Sequence, residues 1–143
     1  MKRGVLPAPS SDRLIEDYGA QKGRRSRRIL VRISSSLKER LTKAVSEDAY
    51  GPRGVSRWVR EAFIRMVCDD PNLETLGLGD EQDSPHDDRL ELTVPRNSHF
   101  VEELRDTALS VRIGAPMIEG PQSLLIRSAV RYRLNNPTLF SGS

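Results

Sequence analysis

The sequence predicts a mainly α-helical chain built around a two-stranded antiparallel ribbon, with one strand drawn from each of two copies of a strand–helix–helix unit. Three observations predict it. Two short alternating apolar stretches, 29-ILVRI-33 and 90-LELTVP-95, are each followed by two segments with apolar residues at helical spacing. The segments SRWVREAF at 56–63 and SLLIRSAV at 123–130 share Ser56/Ser123, Val59/Ile126, Arg60/Arg127 and Ala62/Ala129 at matching places. Finally, one unit of about 40 residues is too small to hold a core alone, and a lone strand leaves its backbone N–H and C=O groups unpaired. Each strand is therefore expected to pair with the other copy's strand, residues 29–33 with 90–94, the four helices burying the ribbon's inner face in an intramolecular pseudo-dimer.

Each element has its own justification. Residues 1–27, with Pro7, Pro9, Gly19 and Gly23 and little periodicity, read as a basic, largely disordered arm. The first unit spans 28–68. In its strand Ile29, Val31 and Ile33 point one way and Leu30 and Arg32 the other, because strand side chains alternate. Ser36 and Glu39 form an S-x-x-E capping box, and Leu37, Leu41, Ala44 and Val45 then share a helical face. The stretch 50-YGPRG-54 breaks that helix. Ser56 is expected to cap the next, whose inner face is Val59, Ala62, Phe63, Met66 and Val67, with Trp58 inside and Pro71 beyond its end.

Residues 69–88 hold eight acids and no Lys or Arg, and read as an acidic linker, which either docks a partner or is simply kept extended by self-repulsion. The second unit, 89–136, sets Leu90, Leu92 and Val94 against Glu91 and Thr93, then places Val101, Leu104, Ala108 and Val111 on one helical face. A breaker over 112–121 precedes a last helix running from Ser123, with Ile126, Ala129, Val130 and Leu134 inward. Arg133 stands where the first copy has Met66, which predicts a less buried last helix. Residues 137–143 form a tail.

The 143 residues are 36% hydrophobic and 30% charged, enough for one ordinary domain. No apolar run approaches the ~18 residues of a membrane span, and the first residues lack a signal peptide's apolar core. A single cysteine, Cys68, excludes an internal disulfide framework and fits a reducing cytoplasm. One cysteine with two histidines, His86 and His99, predicts no metal site, and no cofactor motif is present. The absence of a nucleophile–base pair argues against an enzyme. The net charge of +3 hides a segregation: residues 1–28 carry eight Lys/Arg against three acids, and all the chain outside 69–88 is strongly basic. That balance points to a polyanionic partner.

The residues I-L-V-R-I-S-S-S-L and G-V-S-R-W-V-R-E-A-F in the first unit, with L-E-L-T-V-P and S-L-L-I-R-S-A-V in the second, resemble the ribbon-helix-helix superfamily of DNA-binding proteins. Two copies in one chain are similar to TraY-like conjugation accessory proteins. The resemblance implies that the ribbon's outer face enters the major groove of double-stranded DNA and reads bases through Arg28, Leu30, Arg32, Arg89, Glu91 and Thr93. Arg32 would bridge a guanine, and Thr93 and Leu30 would meet a base edge or a thymine methyl. Glu91 either accepts from a cytosine amine or pairs with an arginine across the ribbon. Because the two strands differ, the expected target is asymmetric.

The same resemblance implies phosphate contacts at the N-termini of the second and fourth helices. The residues there are Val55, Ser56 and Arg57, with Arg53 beside them, and Gln122, Ser123 and Leu124. Ser56 and Ser123 either join these contacts or simply cap their helices. The run with Lys22, Arg24, Arg25 and Arg27 either tracks the DNA backbone or serves as a solubilising leader. The function expected is a transcriptional regulator or a DNA-processing accessory of a mobile element, nucleoid or plasmid associated, with one or more copies on DNA. The alternatives are an antitoxin, for which the tail after Pro137 is short, and a partition or relaxosome adaptor that docks a partner protein through the acidic linker.

Overall fold

The computed structural model describes residues 26–95 and 98–140. Strand β1 (Ser26–Ile33) leads into helices α1 (Ser35–Glu47) and α2 (Val55–Asp69). A turn-rich connection with one 3₁₀ turn (Glu81–Asp83) follows, then β2 (Asp88–Pro95), α3 (His99–Gly114), α4 (Pro121–Asn135) and a final 3₁₀ turn (Pro137–Leu139). The two strands form a two-stranded sheet and run antiparallel, with Ser26 opposite Pro95, Ile29 opposite Leu92 and Ile33 opposite Asp88. The two stretches pair antiparallel as expected, but the register is displaced by two residues from the expected 90–94: residues 29–33 lie opposite 88–92, and the pairing runs on to the strand ends. Arg27 belongs to β1, opposite Val94, and not to the basic arm. Lys22, Arg24 and Arg25 lie outside the described residues.

Alternation decides which face of the ribbon is covered. Ile29, Val31 and Ile33 from β1 and Leu90, Leu92 and Val94 from β2 are buried. They meet Leu37, Leu41 and Val45 of α1, Val59, Ala62, Phe63 and Met66 of α2, Phe100, Val101 and Leu104 of α3, and Leu125, Ile126, Ala129 and Val130 of α4. Phe63 and Phe100 pack edge to face with centroids 5.4 Å apart. Trp58 is buried as expected and donates Nε1–H to Asp48 Oδ2 at 2.8 Å. The α-helical apolar faces read from spacing are the faces that pack.

The helix starts differ from expectation. Ser34, not Ser36, caps α1: its extended backbone (φ −77°, ψ 153°) follows directly on β1, and its Oγ accepts the Leu37 N–H at 3.1 Å. Helix α2 starts at Val55 behind Gly54, and α4 starts at Pro121 behind Gly120, whose φ of 58° suits a residue without a Cβ; neither has a side-chain cap. Ser56 and Ser123 therefore lie inside the first turns. Helix α3 runs to Gly114, so the breaker begins at Ala115. The prediction of a less buried last helix fails outright. Every residue of α4 from Leu124 to Arg131 is buried, because the helix packs against α2, α3 and β1 together.

Arg133 is itself 4% exposed. Its guanidinium lies over the rings of Trp58 at 4.5 Å, Phe140 at 4.3 Å and Tyr50 at 5.2 Å, and it donates to the Trp58 carbonyl at 2.9 Å and to Tyr50 Oη at 2.9 Å. An arginine can replace a buried methionine here because aromatic faces and a carbonyl take over the solvation that water would supply.

The connection between α2 and β2 is neither extended nor free. Asp80 accepts from Arg127 Nε at 2.8 Å, Arg127 Nη2 at 3.1 Å and Arg131 Nη2 at 2.6 Å. Asp83 is 8% exposed and accepts from Arg131 Nε at 2.7 Å and Arg40 Nη2 at 3.2 Å. Asp87 takes the Ser35 N–H at 3.3 Å, and Asp88 lies 3.5 Å from Lys38 Nζ. Self-repulsion is overridden because arginines on α4 and α1 neutralise the carboxylates in a partly dry setting, where pairing is strongest.

Candidate nucleic-acid interface

The outward face of the ribbon carries Arg28, Leu30 and Arg32 on β1 and Arg89, Glu91 and Thr93 on β2, all exposed. Cross-strand neighbours are Arg28 with Thr93, Leu30 with Glu91, and Arg32 with Arg89. Glu91 meets Arg28 diagonally, Oε2 to Nε 3.0 Å, which matches the reading of a pair across the ribbon. Leu30 is 58% exposed, an apolar side chain held in water by the pleat. The face holds three arginines and one carboxylate.

A two-stranded ribbon has two free edges, and every second backbone N–H along each edge lacks a strand partner. Two serines meet two of them. Ser56 Oγ accepts the Thr93 N–H at 2.9 Å, and Ser123 Oγ accepts the Arg32 N–H at 3.0 Å. These hydroxyls thus brace the ribbon and do not cap their own helices. Each bond also fixes a helix N-terminus against one edge of the ribbon. Val55, Ser56 and Arg57, and Gln122, Ser123 and Leu124, sit in first turns, where backbone N–H groups lack an i−4 partner, apart from Leu124, which reaches the Gly120 carbonyl at 3.0 Å. Two partial positive charges therefore flank the outer face.

The flanks differ in side chains. At the α2 end Arg53 is exposed, while Arg57 pairs with Glu61 at 3.2 Å and lies over the Tyr50 ring at 4.6 Å. The groove beside Val55 is lined by Thr42, Ser46, Ala49 and Pro52. The corresponding groove at the α4 end, about 440 Å³, runs from Leu30 to Gln122 and Ser123 between Arg105 and Arg112. Both arginines are exposed and stand outside the ion pairs of the described residues. Sequence reasoning missed them. The available signal was their seven-residue spacing, which places two cations on one face of α3 just before the breaker.

Arg32 is the most restrained residue on this face. Besides the Ser123 bond, its carbonyl accepts Arg127 Nη1 at 2.8 Å and its Nη2 donates to the His86 carbonyl at 3.2 Å. Burial pushes the Asp80 carboxyl up, but hydrogen bonds from Arg127 and Arg131 and their charges outweigh it and hold it at about 2. Among the described residues no group of three His, Cys, Asp or Glu is placed to hold a metal ion, and no helix is long and apolar enough to cross a membrane. Compared with family models, curated proteins and solved structures, the chain matches none.

Proposed function

We propose that the chain is a sequence-specific double-stranded-DNA-binding protein of the ribbon-helix-helix kind, its two strand–helix–helix units acting as a pseudo-dimer within one molecule. The observation that carries this reading is the antiparallel β1–β2 ribbon, whose basic outer face lies between two helix N-termini. A two-stranded ribbon fits the major groove, about 12 Å wide, where each base pair presents a distinct donor and acceptor pattern. Arg28, Arg32, Arg89 and Thr93 supply the base-edge partners. The first turns of α2 and α4, with Arg53, Arg105 and Arg112, supply phosphate contacts.

The crossed serine bonds support the pseudo-dimer: each unit's second helix braces the other unit's strand. The role is transcriptional regulation or DNA processing for a mobile element. A partition or relaxosome adaptor that docks a protein through the acidic connection is the weaker reading, because Asp80, Asp83 and Asp87 already have partners within the chain.

Selection from a random duplex library, followed by titration of the recovered site against salt, tests the proposal. Recovery of one sequence, with an affinity that falls steeply as salt rises, is the expected result. Equal binding to every duplex, or to none at low salt, overturns it.

A further inference from the structure

Asp80 is linked to both ends of Arg32. Through one path its two carboxylate oxygens hold Arg127 by Nε at 2.8 Å and Nη2 at 3.1 Å, which leaves Nη1 directed at the Arg32 carbonyl, 2.8 Å away. Through the other, Asp80 Oδ2 lies 3.3 Å from His86 Nε2, and the His86 carbonyl accepts the Arg32 guanidinium at 3.2 Å. A guanidinium fixed on two nitrogens by a carboxylate has few other orientations, so the third nitrogen is aimed. Arg131 completes the setting by donating Nη2–H to Asp80 Oδ1, the oxygen that also accepts from Arg127 Nε, at 2.6 Å.

The matching position in the first unit is built differently. Arg60, the counterpart of Arg127 in the repeated segment, has a buried Nε with no hydrogen-bond partner. One end of the ribbon is thus anchored by an acid from the connection, and the other lacks that anchor.

We propose that Asp80 is a positioning residue for Arg32, so that the acidic connection stiffens one end of the reading face and sets base preference there. This rests on the DNA-binding reading, and its effect is on how sharply Arg32 discriminates. A connection that merely stabilised the fold would act through any of its buried carboxylates. Asp83 supplies the comparison: it is more buried than Asp80 and holds Arg131 and Arg40, but it has no bond to Arg127 or His86.

The test compares the full chain with its Asp80→Asn and Asp83→Asn variants by two measurements. The first is selection from a random duplex library, with Arg32→Ala used to map the base positions that Arg32 reads. Asp80→Asn is expected to lower preference at those positions about tenfold and to leave preference elsewhere in the site intact. Asp83→Asn is expected to keep both, although it lowers thermal stability at least as much. The second needs no DNA: hydrogen exchange at the Arg32 guanidinium, which the His86 carbonyl holds, is expected to quicken about tenfold in Asp80→Asn only, with the Arg89 guanidinium unchanged as the internal reference. Equal behaviour of the two variants in either measurement overturns the proposal. If the unaltered chain binds no duplex, the DNA-binding reading falls, and the exchange rates alone decide whether Asp80 holds Arg32.

Discussion

Leu30 and Arg32 stand two residues apart on the same face of β1, yet only Arg32 is held by polar bonds. The Leu30 side chain is exposed at the edge of the α4-side groove, whereas Arg32 is bonded at its N–H, its carbonyl and its guanidinium. The His86 bond occupies one guanidinium nitrogen and leaves donors for a base edge. A bidentate arginine contact discriminates by about 1–3 kcal/mol. Arg32→Ala should therefore lose roughly that much preference for the selected site, while affinity for random duplex falls far less. Fluorescence-anisotropy titrations on both duplexes check it, and parallel losses would argue against a base contact.

Two further residues carry predictions of stability. Asp80, held at about 2, has a folded-state value below its unfolded one, so its contribution is fully present above about pH 4 and fades as pH falls toward 2. With the side chain 21% exposed, that contribution is on the order of 1–2 kcal/mol. Melting curves between pH 5 and pH 2 should show a smaller loss in Asp80→Asn than in the unaltered chain. Arg133 offers the opposite case, a buried cation whose acidic neighbour Glu61 keeps 41% of its side chain in water. Arg133→Ala should cost about 3 kcal/mol through a cavity lined by Tyr50, Trp58 and Phe140. Arg133→Met should cost less, because it keeps the volume and strands no fully buried charge. Urea unfolding at unchanged m-value separates the two.

At the scale of elements, the strands and helices were legible because each has one wet and one dry side. Ile29, Val31 and Ile33 alternate, and Val59, Ala62, Phe63 and Met66 recur at helical spacing, so the faces that pack follow from period alone. The destinations of Ser56 and Ser123 were not legible. A serine near a helix start is a good cap on local grounds, and only the paired ribbon creates a free edge whose N–H groups compete for it. The acidic connection was misread for a related reason. Eight acids without a base predict repulsion within the segment, but the neutralising arginines lie far off in sequence, Arg40 43 residues before Asp83 and Arg127 and Arg131 47 and 51 residues after Asp80. A hint was present: Asp80 and Asp83 are one 3₁₀ turn apart, and Arg127 and Arg131 are one α-helical turn apart, so the two pairs match in spacing. In the candidate interface, the ribbon's outer face was legible by alternation, whereas the seven-residue spacing of Arg105 and Arg112 showed a shared helix face but not that this face lies beside the α4 N-terminus.

For the whole molecule, the consequence that matters most is asymmetry. A ribbon made from two identical strands presents the same residues at both ends and reads a palindrome. Here one end shows Arg32 beside Arg89 and the other shows Arg28 beside Thr93, with Glu91 tied to Arg28. The flanking grooves differ as well: two arginines line the α4 side, and threonine, serine and alanine line the α2 side. Base contacts at the Arg32–Arg89 end should favour guanines, since arginine bridges O6 and N7, and those at the Thr93 end should be weaker. Phosphate contacts should likewise concentrate on the α4 side, so Arg105→Ala with Arg112→Ala should reduce the salt slope by up to about 2, near 0.9 for each lost contact. The selected site should therefore have a strong half and a weak half, and hydroxyl-radical footprints should protect the strong half more. A perfectly palindromic site with equal protection on both halves would mean that the two strands are not read as they differ here, and the assignment of Arg32 and Thr93 to opposite halves would fall.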